Sequence, residues 1–203
     1  QLRCAEIHAA REFPAGPAPA GGPYAHDRIR VGYVSGEFRE QATAFLLDEL
    51  IERHDKSRFE THAFSFARDA GSRRLPVLMQ AFDSFSDIED RSDFEAAQAL
   101  HAMEIDIAVD LNGLTLGARP GILAHRPAPV QVSWLGFPGT SGADFIDYLI
   151  GDPIVTPLSD APLVSIVVPS YGQVPATLRC LAAIAARVDA DVFAMDCKAG
   201  TVC

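Results

Sequence analysis

A loop rich in glycine and hydroxyls, Gly136-Phe137-Pro138-Gly139-Thr140-Ser141-Gly142, directly follows a strand-like run, Val130-Gln131-Val132-Ser133-Trp134-Leu135. Glycine permits backbone turns that residues with a Cβ resist, and the Thr140 and Ser141 hydroxyls can donate to a ligand. Open α/β sheets bind ligands in loops of this kind, and also use them simply to turn the chain. A second hydrogen-bonding pair, Asn112 and Thr115, follows another apolar run, Ile105–Leu111. There too Asn-Gly suits a tight turn as well as a site. Asp106 and Asp110 flank that run. Asp110 lies nearer the candidate site, where burial would raise its pKa, although a structural hydrogen-bond acceptor fits it as well. His26, His54, His62, His101 and His125 show no metal-ligand spacing, and Cys4, Cys180, Cys197 and Cys203 show neither metal-ligand nor disulfide spacing. No metal and no cofactor are expected.

The elements that must position these groups follow from periodicity. Ile29–Val34 reads as a buried strand ending in Ser35-Gly36-Glu37. Between Thr43 and His54, Leu46, Leu47, Leu50 and Ile51 share one face at a helical period. Phe59–Phe66 is a second strand, Leu75–Phe82 a helix and Ser84–Ile88 a short strand. Ser92 with Glu95 three residues on forms a capping box. The spacing predicts a helix from there to about Met103, with Phe94, Ala97 and Leu100 turned to the core. Ile105–Leu111 is the next strand and Pro120–Ala124 a helical turn. Arg126-Pro127-Ala128-Pro129 then holds the backbone extended before Val130–Leu135, and Phe145–Ile150 is a last short apolar run. Strands alternating with helices predict an α/β fold, a Rossmann-like doubly wound parallel sheet covered on both faces.

At 203 residues the chain is long enough for one domain, or one and a fragment, and an apolar fraction of 48% supports a packed core. A net charge of −10 argues against general nucleic-acid binding, yet leaves room for a local phosphate pocket. No apolar run approaches membrane-spanning length and no basic-then-apolar signal segment opens the chain. A cytoplasmic protein with no membrane and no nucleic-acid partner is therefore expected. Residues 1–27 hold a short helical-looking piece, Leu2–Glu12, and a Pro/Gly/Ala linker over Pro14–Pro23.

The strings His125-Arg126-Pro127-Ala128-Pro129-Val130-Gln131, Trp134 through Gly142, and Asp147-Tyr148 resemble the catalytic region of the protein O-GlcNAc transferase family, whose bacterial members usually follow tetratricopeptide repeats. The resemblance extends back through Asp110-Leu111-Asn112-Gly113 and Gly117-Ala118-Arg119 to Arg30-Val31-Gly32-Tyr33-Val34-Ser35, and so covers residues 28 to 157. It implies the first lobe of a GT-B-type glycosyltransferase, in which two Rossmann-like lobes face each other across a cleft. The implied activity is transfer of N-acetylglucosamine from a UDP-GlcNAc donor to Ser or Thr of a protein or peptide acceptor. The second lobe, which in that family carries most donor contacts and an essential lysine, has no counterpart in this sequence, so an inactive fragment is expected.

Residue by residue, the resemblance implies the following. Gln41 stands where the family has a histidine, in Phe38-Arg39-Glu40-Gln41-Ala42-Thr43. A glutamine amide can hydrogen-bond a hydroxyl but cannot take up its proton near neutral pH. Asn112 and Thr115 would sit near the sugar and the acceptor peptide. Leu135, Gly136 and Pro138 would form the wall of the site, with Thr140 as a hydroxyl donor. Each also has a plain structural reading: a solvated helix start for Gln41, a turn for Asn112, bracing of the loop for the others.

After Pro157 the resemblance stops, and residues 158–203 read as a separate tail. Pro162–Tyr171 is a β-branched strand and Thr177–Arg187 an amphipathic helix, a pair that resembles the opening of GT-A-type glycosyltransferases. Two other functions therefore stay open: a fragment of a GT-A-type enzyme, and a non-catalytic lobe that binds a peptide or partner.

Overall fold

The computed structural model describes residues 24–69, 71–137, 139 and 141–151, together with the backbone of Ser165–Val167. Seven strands form one sheet in the order β3-β2-β1-β4-β5-β6-β7. They are β1 (Ile29–Ser35), β2 (Phe59–Ser65), β3 (Ser84–Asp87), β4 (Ile107–Asp110), β5 (Val130–Trp134), β6 (Tyr148–Gly151) and β7 (Ser165–Val167). Every pairing is parallel. Parallel neighbours need crossovers, and the described helices supply those from β1 to β5: α1 (Ala42–Glu52), α2 (Leu75–Ala81), α3 (Asp93–Ala102) and α4 (Gly121–Ala124).

Covering both faces explains why β1 and β2 are buried along most of their length, the polar Thr61 and His62 of β2 included. Side chains alternate across the sheet. Tyr33, Val109 and Val132 face one core with Leu47, Leu50, Ile51 and Leu78 of α1 and α2. Val34, Phe64 and Ala108 face the other with Ala97 and Leu100 of α3 and Ile122 and Leu123 of α4. The chain winds outward from β1 to β3 under α1 and α2, then crosses back under α3 to β4 on the far side of β1. The sheet order therefore reverses between β1 and β4, and crevices at such a switch point are where these folds hold ligands.

Two expected core residues are corrected. Phe94 is 50% exposed, because the capping box at Ser92 sets α3 so that Ala96, Ala97 and Leu100 meet the sheet. Phe94 instead meets the His125 ring edge-on at 5.3 Å. Leu46 is 38% exposed, because α1 buries the stripe Thr43, Ala44, Leu47, Leu50 and Ile51. Ser165–Val167 pairs with β6 as the outermost strand. The helices expected at Leu2–Glu12 and Thr177–Arg187 lie outside the described residues.

Candidate functional site

The carboxyl ends of β1, β4 and β5 lie side by side. β4 ends at Asp110, whose carboxylate accepts from the backbone N–H of Asn112 at 2.9 Å and of Gly113 at 3.0 Å. These bonds set a tight turn in which Gly113 has φ +58°, a left-handed conformation that glycine adopts readily. Burial pushes the Asp110 carboxyl above its ordinary value, and the two backbone donors oppose that rise.

The turn aims Asn112 back across the switch point. Its Oδ1 accepts from the Ser35 hydroxyl at 2.9 Å and from the Gly36 N–H at 3.1 Å. Its Nδ2 donates to Thr115 Oγ1 at 3.1 Å. Asn112 is 2% exposed, so its carbonyl is fully engaged by protein. Ser35 Oγ in turn accepts from the Glu37 N–H at 2.9 Å, and the Glu37 carboxylate takes the Thr43 hydroxyl of α1. The loop is staked at its far end by Arg119, whose guanidinium donates to Asp93 at 2.8 Å and to the carbonyls of Ile88 and Arg91.

The strand-to-loop corner after β5 closes on this turn. Leu135 has φ +79°, unusual for a residue with a side chain, and it places Gly136 against β4. A Cβ on Gly136 would lie 1.9 Å from the Leu111 carbonyl oxygen and 3.0 Å from Asn112 Cα. Phe137 covers the neighbouring turn, since a Cβ on Gly113 would meet Phe137 Cβ at 2.5 Å.

Of the sequence-expected site residues, Asn112, Thr115, Leu135 and Gly136 thus gather at one edge of the sheet. Gln41 is exposed at the start of α1, on the loop leaving the same edge of β1, and its side chain makes no capping bond. Pro138 and Thr140 lie outside the described residues. Ser35, Gly36 and Arg119 were given no site role by sequence reasoning. The available signal was position: Ser35 and Gly36 end the first strand of an alternating sheet, where sites gather. Among the described residues no group of His, Cys, Asp or Glu could hold a metal ion. No described helix is long and apolar enough to cross a membrane.

The family model for glycosyl transferase family 41 matches residues 17–166. A UDP-N-acetylglucosamine–peptide N-acetylglucosaminyltransferase of Caenorhabditis elegans is 39% identical over 132 residues, 64% of this chain and 12% of that protein. A probable enzyme of the same name, SEC, from Arabidopsis thaliana is 34% identical over 151 residues, 72% of this chain and 16% of its own length. The solved structure of a mutant O-GlcNAc transferase from Thermobaculum terrenum superposes with a TM-score of 0.65 at 36% identity, covering 75% of this chain and 30% of that one. The chain therefore spans less than a third of each of these relatives.

Proposed function

The chain belongs to glycosyl transferase family 41, and from that premise we propose that it forms the first lobe of a cytoplasmic enzyme transferring N-acetylglucosamine from UDP-GlcNAc to Ser or Thr hydroxyls of proteins. The observation that carries this reading is the close packing of Gly136 on Leu111 and Asn112. It joins two loops that sequence reasoning assigned separately to one site. Thr115, Leu135 and Gly136 form one wall of the cleft, facing the sugar and the acceptor, and the family resemblance assigns Pro138 and Thr140 to the same wall. Asn112 is tied into that wall.

Glycosyl transfer needs the acceptor oxygen held at the anomeric carbon, a stabilised departing diphosphate, and a route for the hydroxyl proton. The residues described here supply positioning on one side. Gln41, in the family's histidine position, offers an amide that can orient a hydroxyl without accepting its proton. In the family resemblance the diphosphate side belongs to a second lobe, outside the residues that match the family model. Losing positioning and charge stabilisation together costs several kcal/mol on each count, roughly many orders of magnitude in rate.

The purified chain is accordingly expected to show no detectable transfer from UDP-GlcNAc to a Ser/Thr peptide, and little UDP binding by calorimetry. Fusing a second lobe from a relative to the full chain should restore donor binding first. Gln41→His in that fusion should then raise turnover more than it changes donor affinity. Measurable transfer by the chain alone would overturn this division of labour.

A further inference from the structure

Strands β2 and β3 bring together three groups that the carboxyl-edge site does not use. His62 and Ser84 are register partners in adjacent parallel strands, so their side chains lie on one face of the sheet. Glu60, two residues before His62 on β2, shares that face. His62 Nδ1 and Ser84 Oγ are 2.7 Å apart, within hydrogen-bond reach. The other ring nitrogen, Nε2, is buried without a hydrogen-bond partner, and the carboxylate it faces is Glu60 Oε1 at 3.6 Å. A carboxylate only accepts, and it draws the ring proton to Nε2. That leaves the Nδ1 lone pair to receive the Ser84 proton. His62 is 4% exposed, while Ser84 is half-buried at the start of the outermost described strand on that side. An edge strand carries unpaired backbone N–H groups along its outer flank, donors of the kind that steady an oxyanion.

We propose that Ser84 is a nucleophile, with His62 as its general base and Glu60 orienting the ring, and that it takes the acyl group of small activated esters. In that step a bond forms from Ser84 Oγ to the acyl carbon while the hydroxyl proton passes to His62 Nδ1. The ester C–O bond then breaks, and the proton leaves with the departing alcohol. Burial is the largest influence on His62 and lowers its pKa, so the imidazole is neutral at pH 7 and able to accept a proton. Of the charged groups facing it, Glu60 and Asp83 oppose that fall, while Arg30 and Arg28 add to it. Arg28 and Arg30 also lie 3.3 Å and 3.6 Å from the Glu60 carboxylate and hold it beside the ring. This site shares no residue with the carboxyl-edge cleft, so it stands or falls apart from the proposed function.

The test is to incubate the full chain with p-nitrophenyl acetate and map the acetylated residues by peptide mass spectrometry. The acetyl group should fall on Ser84 and spare Ser57, an exposed serine whose hydroxyl meets the Asp55 carboxylate. Ser84→Ala should remove it. His62→Gln should slow acetylation about a hundredfold, the lower bound of general-base assistance, with a urea transition showing that the variant is folded. Glu60→Gln should slow it less. On the unaltered chain the rate should rise as pH climbs through the ionisation of His62, below pH 6.5, and then stay level through neutral pH. An unassisted hydroxyl would instead keep accelerating with hydroxide, so this profile decides the matter even if His62→Gln fails to fold. Acetylation of Ser57 as fast as Ser84, an unaltered rate in folded His62→Gln, or a rate that never levels would overturn the proposal. An unaltered rate in Glu60→Gln would overturn the orienting role of that carboxylate.

Discussion

At Gly136 a methyl group has nowhere to go, because its Cβ would lie 1.9 Å from the Leu111 carbonyl oxygen. The obstacle is backbone in a central strand region and cannot swing aside. Gly136→Ala is expected to cost about 2 kcal/mol or more in urea unfolding, the range for overpacking a tight contact. Gly117 makes the useful contrast. It has φ +79° but nothing within 4 Å of a built Cβ, so Gly117→Ala meets only the left-handed backbone penalty of about 1 kcal/mol. Equal losses at the two glycines would mean that Gly136 is not packed as described. Both glycines stand out in the sequence, but their difference does not. It depends on which strand lies beside the loop, a matter of sheet order. The same holds for Asn112: its residue type and place after a strand mark it as a candidate, while its partner Gly36 is 76 residues away. Nothing local in the chain names that partner.

Helix α1 is tied to the sheet by a polar contact inside an apolar layer. His54, buried just beyond the helix end, shares a 2.7 Å hydrogen bond with the Tyr33 hydroxyl of β1. Burial lowers the His54 pKa from 6.5 to about 4, Lys56 adds to the fall and Asp83 opposes it. The folded protein therefore takes up this proton less readily than the unfolded chain. Stability from this group is complete above about pH 6.5 and drains away as pH falls toward 4. The full loss is about 3 kcal/mol. His62, also lowered chiefly by burial, changes stability in the same direction. Urea midpoints taken between pH 7 and 4 should decline less steeply in His54→Gln than in the unaltered chain. Parallel declines would place the acid sensitivity elsewhere. At this scale the sequence is most readable: the pattern of residues locates β1 to β5 and the described helices, while β6 was legible only as a short apolar run over Phe145–Ile150. It misjudged Phe94 and Leu46 because size was taken for burial. The stripes that meet the sheet are Ala44, Leu47, Leu50 and Ile51 on α1 and Ala96, Ala97 and Leu100 on α3, and Leu46 and Phe94 lie beside them.

In the whole molecule, the reversal of strand order at β1 and β4 decides what is central and what is dispensable. β7 touches the sheet on one side only, through β6. Deleting residues 159–203 removes that outer strand and should leave β1 to β6 folded, with one cooperative thermal transition. Loss of cooperativity on that deletion would show that later residues belong to the core. An α/β class and a parallel sheet were readable from the alternation of elements. The resemblance had implied that one lobe of a pair is present, and the shared family and the partial coverage of its relatives agree with that. The position of β1 also has a kinetic consequence. Among the described strands it is made first and lies in the interior of the sheet, yet its second neighbour, β4, leaves the ribosome only after β2, β3 and three helices have been synthesised. At roughly 5–20 residues per second, one flank of β1 waits several seconds for its mate. For that interval the nascent chain offers an open apolar strand to any other chain nearby. Yield on expression should therefore depend on chaperone capacity and on translation speed between β1 and β4, even where the finished protein is stable.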